Sequence, residues 1–196
     1  MYKVILASAS PRRRELLAQI GIEFEVIVSS ADENITEPTA KQLVMKLSNI
    51  KAMAVYNEHG ISEENTVIIG ADTVVAQDGK VLGKPKDEKN AKEMLTMLSD
   101  NKHEVLTGVT ILYKKNGELK SKTFYDKTTV YTYAISDKEI DDYIMTKEPM
   151  DKAGSYGIQG IGAKFIKKID GDYNNVVGLP VSKIYQELKE IENEVD

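Results

Sequence analysis

The sequence contains no cysteine, few arginines and no long apolar run, and it has no excess of basic residues. Without cysteine the chain can have neither disulfide bonds nor thiolate metal sites. The apolar run at residues 4–7 is too short for the core of a signal peptide or for a membrane span. We therefore expect a cytoplasmic protein with no membrane partner.

Acidic residues outnumber basic ones, 31 to 26, and give the 196-residue chain a formal net charge of -5. Proteins that bind nucleic acid usually carry a basic surplus, so we expect no nucleic-acid partner. The arginines are confined to one run, Arg12, Arg13 and Arg14. Arginine suits bidentate contacts with phosphate, although a chain biased toward lysine could equally retain such a run by chance.

Short apolar runs alternate with amphipathic segments along the chain, and 41% of its residues are hydrophobic, a proportion typical of globular proteins. Strands are predicted at residues 3–7, 23–28, 66–69, 74–76, 104–113, 118–133 and 164–169. Helices are predicted at residues 12–20 and in the segments that follow Pro38, Asp87, Ser136 and Pro180. Hairpin turn signals occur beside strand–helix alternation, so we predict one α/β domain over residues 1–196, with a mixed β-sheet and flanking helices.

The first candidate site is the turn between the first predicted strand and helix. Pro11 suits the first position of a helix, and Ser10 is the expected N-cap. The Ser8 hydroxyl, the free N–H groups of the helix and the guanidinium groups of Arg12 and Arg13 could together bind phosphate. The glycines and the Lys-Ser/Thr pair of a Walker A loop are missing. A capped surface helix with solvated arginines therefore remains an equally good interpretation of this segment.

Acidic residues and lysines near other predicted strands and helices are further candidates. Asp72 follows a predicted buried strand, where it could bind a metal, orient water or act as a general base. Asp32 and Glu33 could supply oxygen ligands, which would suit Mg²⁺ or Mn²⁺. Lys51 and Lys84 could bind phosphate oxygens. Taken singly, Asp72 could equally cap a turn and each lysine could be solvated.

A segment without hydrophobic periodicity, residues 148–162, is rich in glycine and polar residues. Long loops of this kind often carry function. Gln159 could read the edge of a base, because its amide both donates and accepts hydrogen bonds. His59 and His103 lie in no motif, and we assign them structural or surface roles.

Five motifs, taken together and in order, resemble those of the Maf family of nucleoside triphosphate pyrophosphatases. They are SASPRR at 8–13, GADTVV at 70–75, GKP at 83–85, DKAGSYGIQG at 151–160 and NVVGLP at 175–180. Each motif is weak alone, but their order over almost the whole chain is specific. The resemblance implies an α/β fold similar to that of the inosine triphosphate pyrophosphatases, with two lobes around a cleft.

The resemblance also implies an activity and a role for each site residue. Members of the family cleave nucleoside triphosphates between the α- and β-phosphates, need a divalent cation and are linked to septum formation. The general base is expected at Asp72 and the metal at Glu33 and Asp72. Substrate binding is expected at Ser8, Arg12, Arg13, Lys51, Thr73, Lys84 and Gln159. Among these, Arg12, Thr73 and Gln159 correspond to the family's determinants of substrate choice.

The motif at residues 151–160 resembles the branch of the family that acts on dTTP and UTP. The expected function is therefore an enzyme that converts these nucleotides to the monophosphate and pyrophosphate. Three alternatives remain open: a 7-methyl-GTP pyrophosphatase, a non-catalytic nucleotide-binding regulator of cell division, and a nucleotidyltransferase. A homodimer is a further expectation from the family.

Overall fold

Strands and helices alternate along the part of the chain that the computed structural model describes, residues 3–60 and 65–195. The strands are β1 (Lys3–Leu6), β2 (Phe24–Val26), β3 (Thr66–Gln77), β4 (Lys80–Leu82), β5 (Lys102–Lys115), β6 (Glu118–Thr132) and β7 (Ile166–Asp170). The helices are α1 (Pro11–Gln19), α2 (Ala40–His59), α3 (Glu88–Leu98), α4 (Asp137–Met145), α5 (Tyr173–Val177) and α6 (Val181–Val195). Three short 3-10 turns, Glu148–Asp151, Ala153–Ser155 and Gly160–Phe165, connect α4 to β7. No described helix combines the length and hydropathy that a membrane span requires.

One sheet joins the strands in the order β2-β1-β3-β5-β6-β7, with β4 paired to β3. β1 is parallel to both of its neighbours, because α1 and α2 return the chain to the same end of the sheet. β5 and β6 are antiparallel and form a long hairpin. Its turn is Asn116-Gly117, where both residues have positive φ, as a tight hairpin turn requires. The predicted mixed sheet with flanking helices is confirmed.

Asp72 does not follow a strand, as its position after residues 66–69 predicted, but lies inside one. β3 runs without interruption from Thr66 to Gln77 and pairs with β5 over most of its length. Asp72 pairs with Gly108 of β5. The pattern of apolar residues suggested two short strands because polar residues interrupt it, and the pairing with β5 keeps the interrupted segment extended.

Two glycines let α2 lie directly on the sheet. A Cβ at Gly108 would collide with the backbone of α2 and lie 2.8 Å from Met45 N. A Cβ at Gly70 would lie 2.8 Å from Ala52 N. Because the axis of α2 lies close to both strands, Lys51 of α2 lies near the middle of β3.

Helix starts follow the predicted pattern in most cases, and one departs from it. Asp87 accepts a hydrogen bond from Asn90 N, and Ser136 forms a capping box with Glu139. Ser10 occupies the N-cap position of α1, but its side chain makes no capping bond. Its backbone N–H donates instead to Ser8 Oγ, at 3.2 Å, so Ser8 stabilises this turn.

Two hydrophobic clusters lie on one face of the sheet. Ala71 of β3 belongs to the cluster that includes α1 and α6, and Val75 to the cluster that includes α3 and α4. Thr73 lies between them on the same face, and its hydroxyl is 3.0 Å from that of Thr107 on β5. This polar strip separates two cores, which form the two lobes.

His103 is buried on β5, with 2% of its surface exposed. Its Nε2 lies 2.7 Å from the hydroxyl of Tyr156. Burial lowers the pKa of His103 from 6.5 to about 4, because the imidazolium form would lose its hydration. The imidazole is therefore neutral in the folded protein near pH 7.

Substitution of Gly108 by alanine should destabilise the fold. The new Cβ meets helix backbone rather than a flexible side chain, so we expect a loss of roughly 3 kcal/mol in the free energy of unfolding. Urea denaturation of Gly108→Ala measures it. Gly83→Ala is the matched control, since a Cβ there meets nothing within 4 Å. Equal stability of the two variants would contradict the close approach of α2.

Acid should destabilise the protein through His103. The unfolded chain binds a proton near pH 6.5 and the folded chain only near pH 4, so stability is complete above this window and falls as the pH decreases through it. The expected loss at the lower limit is on the order of 3 kcal/mol. It is measured as the difference in unfolding free energy between wild type and His103→Gln across this range. Parallel pH profiles for the two proteins would contradict the prediction.

Candidate functional site

A cavity of about 600 Å³ opens between the two lobes at one edge of β3. β1 pairs with β3 as far as Ile69, and β4 pairs with it from Val75 onwards. Among the described strands, none covers residues 70–74 on this edge. Asp72 and Thr73 therefore border the cavity; Thr73 faces the polar strip and Asp72 faces α2.

The structure brings to this one cavity all nine site residues that the family resemblance implies. Its lining includes Ser8, Arg12, Arg13, Glu33, Lys51, Asp72, Thr73, Lys84 and Gln159. They come from segments far apart in sequence: the turn after β1, the first turn of α1, the segment before α2, α2 itself, β3, the segment after β4, and the segment before β7. Asp32, proposed beside Glu33, does not line it; its Oδ1 accepts a hydrogen bond from Asn34 N. The roles of the predicted residues in binding and catalysis remain predictions.

Lys51 holds two carboxylates at the α2 side of the cavity. Its Nζ lies 2.7 Å from Asp72 Oδ1 and 2.9 Å from Glu33 Oε2. The side chains of Lys51 and Asp72 are almost buried, with 10% and 12% exposed, whereas that of Glu33 is 56% exposed. The arrangement fixes one carboxylate at the base of the cavity and places a second one at its opening.

Arg13 ties three walls of the cavity together. Its Nε donates to the carbonyl oxygen of Gly178 at 2.9 Å, Nη1 to Ser8 Oγ at 3.2 Å, and Nη2 to Thr73 Oγ1 at 3.1 Å. Burial lowers the pKa of Arg13, and the charge of Asp72 opposes this shift. The described hydrogen bonds of this buried cation are all with neutral oxygens, which favours an anion nearby.

Arg12 spans the cleft to the other lobe. Its Nη1 lies 3.1 Å from Asp151 Oδ2, and Asp151 Oδ1 is 2.8 Å from Lys152 Nζ. The side chains of Arg12 and Asp151 are 31% and 65% exposed. Ion pairs this exposed contribute about 0–1 kcal/mol, so an anionic ligand can compete with Asp151 for Arg12.

The lining is positive although the chain is acidic. It carries five cations, Arg12, Arg13, Lys51, Lys84 and Lys152, against three carboxylates, Glu33, Asp72 and Asp151. The chain as a whole has a net charge of -5. A positive cavity in a negative protein selects locally for anionic ligands.

Several lining residues were not predicted as site residues. Val105, Tyr156 and Val177 form apolar parts of the wall. Val105 reaches the cavity because it pairs with Val75 across β3 and β5, and no local pattern indicates that register. Asp151 and Tyr156 belong to the motif at residues 151–160, so the motif could have indicated them.

Comparison with known proteins agrees with the five motifs. Residues 3–191 match the family model described as Maf-like protein. A dTTP/UTP pyrophosphatase of Agathobacter rectalis is 52% identical over 97% of this chain and 98% of its own length. The protein of the same name from Lachnoclostridium phytofermentans is 48% identical over 96% of this chain and 95% of its own.

A crystal structure of a nucleoside-triphosphatase / dITP/XTP pyrophosphatase from Mycobacterium abscessus aligns with 99% of this chain and 98% of its own. The identity is 14% and the TM-score 0.49, too low for the likeness to say anything about the fold. The family model, by contrast, spans almost the whole chain, and the relatives above are about half identical to it over nearly their full lengths. The resemblance is confirmed, and the chain belongs to the Maf family.

Proposed function

We propose that this protein hydrolyses nucleoside triphosphates, with dTTP and UTP as preferred substrates, to a nucleoside monophosphate and pyrophosphate. The observation that carries the proposal is the positive cavity with the buried carboxylate of Asp72 at its base. A triphosphate is a small polyanion that such a cavity can neutralise. The names of the relatives from Agathobacter rectalis and Lachnoclostridium phytofermentans support the same substrates. We further propose that residues 1–196 form one domain with this activity.

In this proposal the triphosphate lies beside the turn that follows β1. Ser8 and the start of α1 offer hydroxyl and N–H donors, and Arg12 and Lys84 offer charge. Arg13 keeps Ser8 and Thr73 in place through its hydrogen bonds. The nucleoside then extends toward the second lobe, where the exposed side chain of Gln159 reads the base.

Glu33 and Asp72 fit a divalent cation that is bound together with the triphosphate. Among the described residues no group of three or more metal-binding side chains occurs, but Lys51 holds these two carboxylates beside one another. Mg²⁺ in phosphate chemistry commonly uses one or two carboxylates, substrate oxygens and water. When bound, the cation would neutralise phosphate charge and help to orient the substrate.

Asp72 is the proposed general base. Lys51 binds its Oδ1, which orients the carboxylate toward the cavity that it lines. The carboxylate accepts a proton from a water molecule as that water attacks the α-phosphorus, and pyrophosphate leaves. Arg12 and Lys84 stabilise the negative charge on the phosphate oxygens in the transition state.

Replacement of Asp72 by asparagine should lower turnover by about 100- to 10,000-fold, because a typical general base contributes that much to the rate. The measurement is pyrophosphate release from dTTP with Mg²⁺, with the fold checked by circular dichroism. Asp141→Asn, on the exposed surface of α4 beside Lys92, is the matched control and should keep wild-type turnover. Folded Asp72→Asn protein with nearly full activity would show that Asp72 is not the base.

A substrate panel separates the proposed function from its alternatives. With dTTP, UTP, CTP, modified nucleotides and 7-methyl-GTP, we expect the highest kcat/KM for dTTP and UTP, with the monophosphate as product. Preference for 7-methyl-GTP would assign the chain to another branch of the family. Tight binding without product would indicate a regulator, and dependence on an acceptor would indicate a nucleotidyltransferase.

A further inference from the structure

A buried pair of side chains connects the start of β5 to the wall of the cleft. His103 Nε2 and the Tyr156 hydroxyl are 2.7 Å apart, and the two rings meet edge to face with centroids 5.2 Å apart. Only 2% of His103 and 7% of Tyr156 is exposed. The chemistry proposed above uses neither residue.

The backbone just before Tyr156 has an unfavourable conformation. Gly154 and Ser155 both have positive φ, +69° and +62°, and the second is costly for a residue with a Cβ. Surrounding contacts must therefore hold this segment. Gly154 N–H donates to Gly83 O at 3.0 Å, and Ser155 Oγ lies 3.1 Å from Met94 Sδ.

The residues just after Tyr156 form the wall of the cavity. Gly157, Ile158 and Gln159 all line it. Gly157 N–H donates to the Tyr143 hydroxyl at 3.3 Å, and that hydroxyl donates to Glu148 Oε1 at 2.9 Å. Tyr156 is thus the buried anchor between a strained segment and the residues that face the ligand.

His103 is well placed to fix this anchor. It lies near the start of β5, paired with Val130 of β6, in a strand that has neighbours on both sides. Its other ring nitrogen, Nδ1, has no hydrogen-bond partner in the described structure. Within the described structure, the bond to Tyr156 is therefore the one hydrogen bond of this buried ring, and it ties the wall to the start of β5.

We propose that His103 is a positioning residue that, through Tyr156, holds residues 157–159 in the place where the nucleoside of the substrate binds. The inference rests on the proposed function, because it takes Gln159 to face the base. Loss of the His103–Tyr156 bond loosens the wall without touching the phosphates or Asp72. Its effect therefore falls on nucleotide binding and not on the chemical step.

Kinetics of Tyr156→Phe and His103→Leu test the proposal. Each removes the hydrogen bond but keeps an apolar side chain in the core. We expect KM for dTTP to rise roughly 5- to 20-fold, the size of one lost buried hydrogen bond, with kcat changed by less than about threefold. His103→Gln, whose amide can replace Nε2 as a partner, should restore KM. The double variant Tyr156→Phe/His103→Leu should be no worse than the more severe single variant.

Tyr133→Phe is the control, because Tyr133 is 53% exposed and does not line the cavity; it should keep the wild-type KM. An unchanged KM in Tyr156→Phe and His103→Leu would overturn the proposal. So would a fall in kcat that equals the fall in kcat/KM, since the pair would then act on the chemical step.

Amide hydrogen exchange provides a readout that does not depend on turnover. In the absence of substrate, amide exchange at residues 153–160 should be about tenfold faster in Tyr156→Phe and in His103→Leu than in the wild type. Helix α6 should keep its wild-type protection. Unchanged exchange at residues 153–160 would overturn the proposal even if the enzyme is active. If the wild-type protein hydrolyses no nucleotide but exchange at residues 153–160 is still faster in the two variants than in the wild type, the positioning role is supported and only the proposed activity is refuted.

Discussion

The close contact of α2 with the sheet is the constraint on which the site depends. Gly70 and Gly108 leave no side chain between the helix and the strands, so the helix backbone lies against β3 and β5. At this short distance Lys51 reaches Asp72 and holds Glu33 as well. A longer side chain at either glycine would separate the ammonium group from the buried carboxylate. The packing of the core and the chemistry of the cleft are therefore set by the same contact.

The cleft itself arises from a break in the apolar surface of the sheet. Thr73 and Thr107 interrupt the face of β3 and β5 that otherwise packs against helices, so two cores form with a polar strip between them. Arg13 lies over this strip and donates hydrogen bonds to three neutral oxygens, so its charge remains available to an anion. The result is an electrostatically positive cavity between two well-packed lobes. Charges fixed in this way can stabilise a polyanion with little rearrangement of the protein.

Much of the fold and of the site follows from local sequence patterns. Caps, hairpin turns and alternating runs predict the element order. The family resemblance implies Lys51 as a site residue, and its Nζ lies 2.7 Å from Asp72 Oδ1. Features set by pairing between distant strands were not predictable in this way. The place of Asp72 inside β3 depends on its pairing with β5, and Val105 enters the wall through the same register. From the sequence, His103 was assigned only a structural or surface role. In the structure it contacts Tyr156, which is 53 residues away in sequence. Hydrophobic periodicity is a local pattern and does not predict a contact over that separation.

In the proposed mechanism water attacks the α-phosphorus, and isotopic labelling tests this most directly. Turnover of dTTP in water enriched in ¹⁸O transfers the label to whichever product contains the attacked phosphorus. Attack at the α-phosphorus predicts ¹⁸O in the nucleoside monophosphate and unlabelled pyrophosphate. Label in the pyrophosphate, or release of orthophosphate from the γ-position, would contradict it.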